Sequence, residues 1–175
     1  MINLKDALIL QKRELEVRLK ESYLERIADT GKLKNPLIKV IIGPRRAGKS
    51  FFAIHFLSKQ ANFGYINFDD EKLIEVRDYE ELITAINSVY KNPKVVLFDE
   101  VQNLPKWELL VNRLQRQGLD IIITGSNANL LSKELATHLT GRHISINIFP
   151  FSFKEYLGKE ELTIAETKEH LDNFI

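Results

Sequence analysis

The chain has 175 residues and a mass of 20.3 kDa, enough to bury about 70% of its unfolded surface and so to support one complete α/β core. Hydrophobic residues make up 44% and charged residues 28%, which excludes disordered and membrane-embedded classes, and a net charge of +1 excludes recruitment of nucleic acid or anionic membrane by an overall field. With no cysteine there is no disulfide, thiol catalysis or Cys-ligated metal centre, and the cytoplasm is the expected location.

From Leu4 to about Ala28 apolar residues recur at helical spacing amid alternating Lys, Arg and Glu, which predicts one or two amphipathic helices ended by Gly31. Its basic residues Lys12, Arg13 and Arg18 are answered by Glu14, Glu16 and Glu21, the pattern of a solvated face. Beyond it, short β-branched runs alternate with amphipathic stretches, the signature of a parallel sheet with helices on its faces. Strands are predicted over Ile38–Ile42, Tyr65–Phe68, Val95–Phe98, Asp120–Thr124 and Ile144–Ile148. Helices are predicted near Lys49–Lys59, Tyr79–Tyr90, Trp107–Gln117 and Leu130–Leu139. Asn92-Pro93 and Gly118 mark turns, Ser152 with Glu155 forms a capping box, and the tail from Leu162 to Ile175 reads as helical. No run is long enough to span a bilayer, and no membrane contact is expected.

The segment Gly43, Pro44, Arg45, Arg46, Ala47, Gly48, Lys49, Ser50 follows a strand and opens a helix, as a phosphate-binding loop requires. Its glycines let the backbone curl around phosphate oxygens, and the helix start directs N–H groups and its positive dipole end at them. Lys49 is expected to reach the β and γ phosphates and Ser50 to place its hydroxyl on Mg2+, with Phe51 closing the nucleotide-contacting set. By chance, four fixed positions coincide in a chain this size at on the order of one per cent, before the flanks are counted.

Val95–Phe98 delivers Asp99 and Glu100 at the carboxyl end of a strand, where ligands of open parallel sheets bind. Asp99 is expected to hold Mg2+ and Glu100 to act as general base on the attacking water. That pair argues against a small-molecule kinase, and no guanine motif is present, so ATP is the expected nucleotide. Asp69 and Asp70 read as helix caps rather than metal ligands, His55, His138, His143 and His170 lack metal-ligand spacing, Trp107 reads as packing, and Arg45 and Arg46 read as solvent-facing, with phosphate contact from the loop the other reading.

Taken together, GPRRAGKS (43–50), YINFDDEKL (65–73), VVLFDEVQNLPKWE (95–108), IIITGSNANLL (121–131) and LTGRHISINIFPFSFKEYL (139–157) resemble the ATPase domain of a prokaryotic AAA-type family whose members usually carry a further carboxyl-terminal domain. The resemblance covers residues 35 to 158. It implies a three-layer α-β-α P-loop NTPase sandwich with a five-stranded parallel sheet in the order 5-1-4-3-2, of the additional-strand class with its catalytic Glu on the third strand. It implies a polar sensor beside the γ-phosphate after the fourth strand. Ser126 fits that role, Thr124 and Asn127 are alternatives, and the same turn can instead cap the next helix. It also implies an arginine lent to a neighbour's site in a homo-oligomer. Arg142 fits that place, and a surface or ion-paired arginine is the other reading.

The division expected is a helical segment over 1–30, the ATPase domain over 31–158 and a helical tail over 159–175 that starts a missing lid or downstream domain. The function expected is Mg2+-dependent hydrolysis of ATP coupled to a conformational task on an unidentified protein or nucleic-acid client. The alternative is a nucleotide-gated protein- or nucleic-acid-binding module with little hydrolysis.

Overall fold

The computed structural model describes residues 4–60, 62–73, 76, 78–126, 137, 139–157 and 164–174. Its strands are β1 (Ile38–Ile42), β2 (Phe63–Asn67), β3 (Val95–Asp99), β4 (Asp120–Gly125) and β5 (His143–Asn147). All pair in parallel in the spatial order β2-β3-β4-β1-β5, which is the expected 5-1-4-3-2 read from the other side. The helices are α1 (Leu4–Arg18), α2 (Lys49–Ser58), α3 (Tyr79–Tyr90), α4 (Trp107–Arg116), α5 (Phe153–Leu157) and α6 (Ile164–Phe174), so the chain is an α-β-α sandwich with an N-terminal helical extension.

The order of the sheet follows from burial. β3 is buried at every residue and β4 at every residue but its first, so these strands need helices on both faces. Leu8 of α1, Ile54 and Leu57 of α2, Leu82 of α3 and Val111 of α4 reach zero exposure against that sheet. Each such side chain contributes about 1.5–3 kcal/mol of apolar burial. Asp78 caps α3 by accepting the N–H groups of Glu80 and Glu81, and Trp107 opens α4 as a packed core residue. Lys39 is wholly buried in the otherwise apolar β1 and is ion-paired with Asp120 at the start of β4.

Several boundaries differ from the sequence expectation. α1 stops at Arg18, where Lys20 N–H bonds Val17 O and Glu21 N–H bonds Arg18 O in tightening turns, and residues 22–28 then run without helix. Gly31 ends no helix; it lies in a short 3₁₀ turn, Thr30–Lys34, begun by the Asp29 carboxylate. β2 begins at Phe63, two residues early, because Phe63 and Gly64 pair with Val95 and Val96. β5 is displaced by one residue, since His143 pairs with Ile38. Most of the helix expected over 130–139 lies outside the described residues. Asp70 does cap a short turn, accepting the Lys72 N–H.

Both borders of the sheet carry side-chain partners. On β2, Gln11 of α1 donates to Asn67 O at 3.0 Å and accepts the Asn67 N–H at 2.9 Å, and it also bonds Asp70. On β5, Lys32 Nζ donates to Ser145 O at 3.3 Å.

Candidate functional site

The site lies at the carboxyl ends of β1, β3 and β4. After Ile42 the chain turns through residues 43–48 into α2, with Arg46 at φ 64 and Gly48 at φ 87. Gly43 has no room for a side chain: a Cβ there would stand 1.9 Å from the carbonyl oxygen of Ile148, just past β5. Gly48 is the N-cap of α2 and supplies no capping side chain, so the first N–H groups of that helix face the loop's interior. Lys49, 4% exposed, folds back to donate from Nζ to Pro44 O at 2.9 Å and approaches Glu100 Oε1 at 3.9 Å. Ala47 is buried, while Pro44, Arg45 and Arg46 are exposed, and Arg46 borders the cavity beside Gly48 and Lys49.

Ser50 and Asp99, far apart in sequence, meet here: Ser50 Oγ donates to Asp99 Oδ1 at 2.7 Å. The same oxygen accepts Thr124 Oγ1, and Asp99 Oδ2 accepts Tyr65 Oη at 3.0 Å. Burial pushes the Asp99 carboxyl above its ordinary value, and the neighbouring Glu100 charge adds to this, while the three hydroxyls from Thr124, Ser50 and Tyr65 oppose it. Tyr65 is driven far above the usual phenol range, chiefly by burial and then by the Asp99 charge, so it stays a hydrogen-bond donor.

Glu100 occupies the left-handed region at φ 51, a strained place for a residue with a Cβ. Its backbone N–H donates to Thr124 Oγ1 at 3.1 Å. Its Oε2 accepts the N–H of Ser126 at 3.2 Å, the hydroxyl of Ser126 at 2.9 Å and the amide of Gln102 at 2.6 Å. Thus Lys49, Ser50, Asp99, Glu100 and Ser126 converge on one sheet edge; Thr124 serves Asp99 and Glu100; Asn127 lies outside the described residues.

Arg142 does not join them. It precedes β5 at the opposite edge of the sheet, with Ile38 N–H bonded to its carbonyl and its guanidinium 3.4 Å from Asn112 Oδ1. A five-residue strand separates it from the loop by about 16 Å, so it cannot serve the site of its own chain.

Residues that the sequence reading passed over also build the site. The segment 22–28 lies across the start of α2, with Tyr23 stacked on His55 at a centroid distance of 3.9 Å. A cavity of about 470 Å³ opens between them, lined by Tyr23, Leu24, Arg26, Gly48, Ser50 and Phe151 among others. That volume is in the usual range for a small-molecule site. The Arg26 side chain is buried, pairs with Glu155 at 2.9 Å and donates to Ala47 O at 2.7 Å. Glu155 completes the expected capping box with Ser152. Burial alone would raise its carboxyl, yet the bonds from Ser152, Arg26 and Ile27 bring it down to about 2. No signal local to residues 19–29 distinguishes Arg26, because its partners lie 21 and 129 positions away.

The donor set fits a nucleoside polyphosphate with a hard cation. A helix start without a side-chain cap, a buried lysine and a hydroxyl against a buried carboxylate are the groups that such a ligand draws on. Among the described residues no group of three or more His, Cys, Asp or Glu could hold a metal alone, and no helix is long and apolar enough to cross a membrane.

Residues 35–157 match the family described as AAA domain. An uncharacterised protein of Methanocaldococcus jannaschii is 38% identical over 174 residues, covering 92% of this chain and 39% of that protein. An uncharacterised protein of Haemophilus influenzae is 38% identical over 149 residues, covering 79% of this chain and 37% of its own length. The chain thus spans less than two fifths of the length of these curated relatives. Among solved structures, AMPPCP-bound DnaA from Aquifex aeolicus is 19% identical with a TM-score of 0.49, over 94% of this chain and 55% of that one.

Proposed function

This chain belongs to the AAA domain family, and on that premise we propose that it binds ATP through residues 43–51 and hydrolyses it to ADP and phosphate with Mg2+. The observation that carries the reading is the 2.7 Å contact between Ser50 and Asp99, with Glu100 beside it, because it joins the loop to the two carboxylates at the sheet edge. Bound Mg2+ supplies charge neutralisation at the phosphates. Lys49 turns its ammonium from Pro44 O toward the β and γ phosphates, and Ser50 and Asp99 present oxygens to the metal side. Glu100 Oε1, which faces Lys49, accepts the proton of the attacking water, while Ser126 and Gln102 hold Oε2 and fix the carboxylate plane. In this reading the chain belongs to the class whose catalytic Glu stands at the carboxyl end of the third strand, here Glu100 directly after Asp99.

In the same reading residues 31–158 form the ATPase unit, 1–30 its N-terminal extension and 159–175 a helical tail, and the ATPase cycle drives a conformational task on a protein or nucleic-acid client. Arg142 completes the site of a neighbouring copy in a homo-oligomer.

Measuring ATP binding and phosphate release in parent, Lys49→Ala and Glu100→Gln tests the core of this. Lys49→Ala loses most ATP affinity, and Glu100→Gln binds like the parent while releasing phosphate about 100-fold more slowly. Parent-like turnover in Glu100→Gln would remove that residue from catalysis. ATP binding without phosphate release by the parent would favour the nucleotide-gated binding module.

A further inference from the structure

The Arg26 side chain is 4% exposed, and its planar fork is shared among three separate stretches of chain. Nε–H donates to Glu155 Oε1 at 2.9 Å, an Nη1–H to Ala47 O at 2.7 Å, and an Nη2–H to Phe149 O, while the guanidinium lies 4.3 Å from the Phe151 ring centroid. Three acceptors and a ring fix the plane of a group whose donors are set by resonance. Glu155 is held just as firmly, accepting Ile27 N–H at 2.8 Å and the N–H and hydroxyl of Ser152 at 2.8 and 2.9 Å.

The contact with Ala47 is the one that reaches the phosphate loop. A trans peptide is planar, with its carbonyl and the following N–H pointing in opposite directions. Fixing Ala47 O toward Arg26 therefore aims the Gly48 N–H away from Arg26, to the other side of the loop. Gly48 also stands so close to the guanidinium that a Cβ would lie 3.2 Å from Nη1. The flanking peptides are tied by backbone bonds, Ala47 N–H to Pro44 O at 3.2 Å and Phe52 N–H to Gly48 O at 2.9 Å, whereas the Ala47 carbonyl between them is held by the Arg26 side chain.

We infer that Arg26, held in place by Glu155, is a positioning residue for the phosphate loop, turning the Ala47–Gly48 peptide so that the loop presents its N–H to phosphate. This rests on the ATP-site reading above. A buried ion pair that served stability alone would be replaceable, because such pairs contribute little beyond what apolar packing gives. Its loss would move the melting temperature and leave ligand affinity alone.

The test uses the 175-residue chain and competition against a fluorescent ATP analogue, with ATP and inorganic triphosphate as competitors. Arg26→Gln weakens both by the same factor, about 10-fold, the usual effect of misdirecting one charge-assisted bond. Arg26→Lys recovers the melting temperature without recovering affinity, because one ammonium cannot hold three acceptors in a plane. Glu155→Gln weakens both competitors in the same direction, and the Arg26→Gln, Glu155→Gln double variant is no weaker than Arg26→Gln alone. Parent-like triphosphate affinity in Arg26→Gln, or a loss confined to ATP, overturns the inference, the latter because it would place the effect at residues 22–28 rather than at the loop. If Arg26→Gln does not fold, unchanged affinity in Glu155→Gln overturns it equally. A parent that fails to bind ATP refutes the site reading itself, whereas loss in Lys49→Ala with none in Arg26→Gln refutes this inference alone.

Discussion

Substituting alanine for glycine at two positions separates close approach from backbone strain. At Gly43 an added Cβ would stand 1.9 Å from Ile148 O, where real Cβ atoms keep beyond 3.0 Å, and the obstacle is backbone that cannot rotate aside. One strand end must move by about 1 Å, which places overpacking at about 1–3 kcal/mol. The same joint carries the 2.8 Å bond from Ile148 N–H to Ile42 O, whose loss adds about 1 kcal/mol. Gly43→Ala is therefore expected to lose about 2–4 kcal/mol, a fall of about 5 to 15 °C in melting temperature for a domain of this size. Gly118 is the control, because it is left-handed at φ 86 with nothing within 4 Å of its Cβ position. Strain alone costs Gly118→Ala about 1 kcal/mol. Thermal melting of both variants without ligand decides the matter. A Gly43→Ala protein as stable as Gly118→Ala would refute the claim that the end of β5 closes against the loop.

Asp99→Asn is expected to be at least as stable as the parent without metal, since it removes a buried charge, yet to lose the gain in ATP affinity that Mg2+ provides; equal affinities of parent and variant with Mg2+ present would refute its metal role. Glu155 titrates below its ordinary value of 4.5, at about 2 in the fold, so its stabilisation is complete above 4.5 and lost as pH falls from there toward 2. Denaturation midpoints of parent and Glu155→Gln should therefore converge on acidification through that window, and a constant gap would refute the assignment. Arg142→Ala is expected to bind ATP normally and lose turnover by about 10³- to 10⁵-fold, the worth of an arginine lent by a neighbour. Mixing it with Lys49→Ala should restore part of the activity, and a mixture of folded, associated variants that stays inactive would refute action in trans.

The sheet was legible because β1, β3 and β4 are short runs rich in Val and Ile, and β1 and α3 fall where periodicity puts them. The loop and the Asp99-Glu100 pair were legible because their chemistry is local in sequence: a glycine-rich turn between strand and helix, and carboxylates at a strand end. Residues 19–28 were not, since their charges and leucines keep the same helical spacing as α1 while their conformation is dictated by Glu155 and the loop carbonyls. Tyr65 looked like one more aromatic in a strand, and only the pairing of β2 with β3 brings it to Asp99. Lys39 interrupts an apolar run, a signal that marks a buried pair without naming Asp120 as the partner. Arg142 fell at the sheet edge that its position before β5 dictates, and whether it faces a second chain is a matter of assembly that no intrachain pattern encodes.

The partners on β2 and β5 bear on how copies of this chain can meet. An open sheet invites an incoming strand at each border, and here Gln11 gives Asn67 both bonds of a missing rung while Lys32 occupies a carbonyl of β5. Strand exchange or fibre-like stacking would first have to detach α1 on one side and the Thr30–Lys34 turn on the other. Growth by extending the sheet is thus hindered at both borders, which leaves the helices and loops, with Arg142 and the rim of the cavity among them, as the surfaces open to a partner.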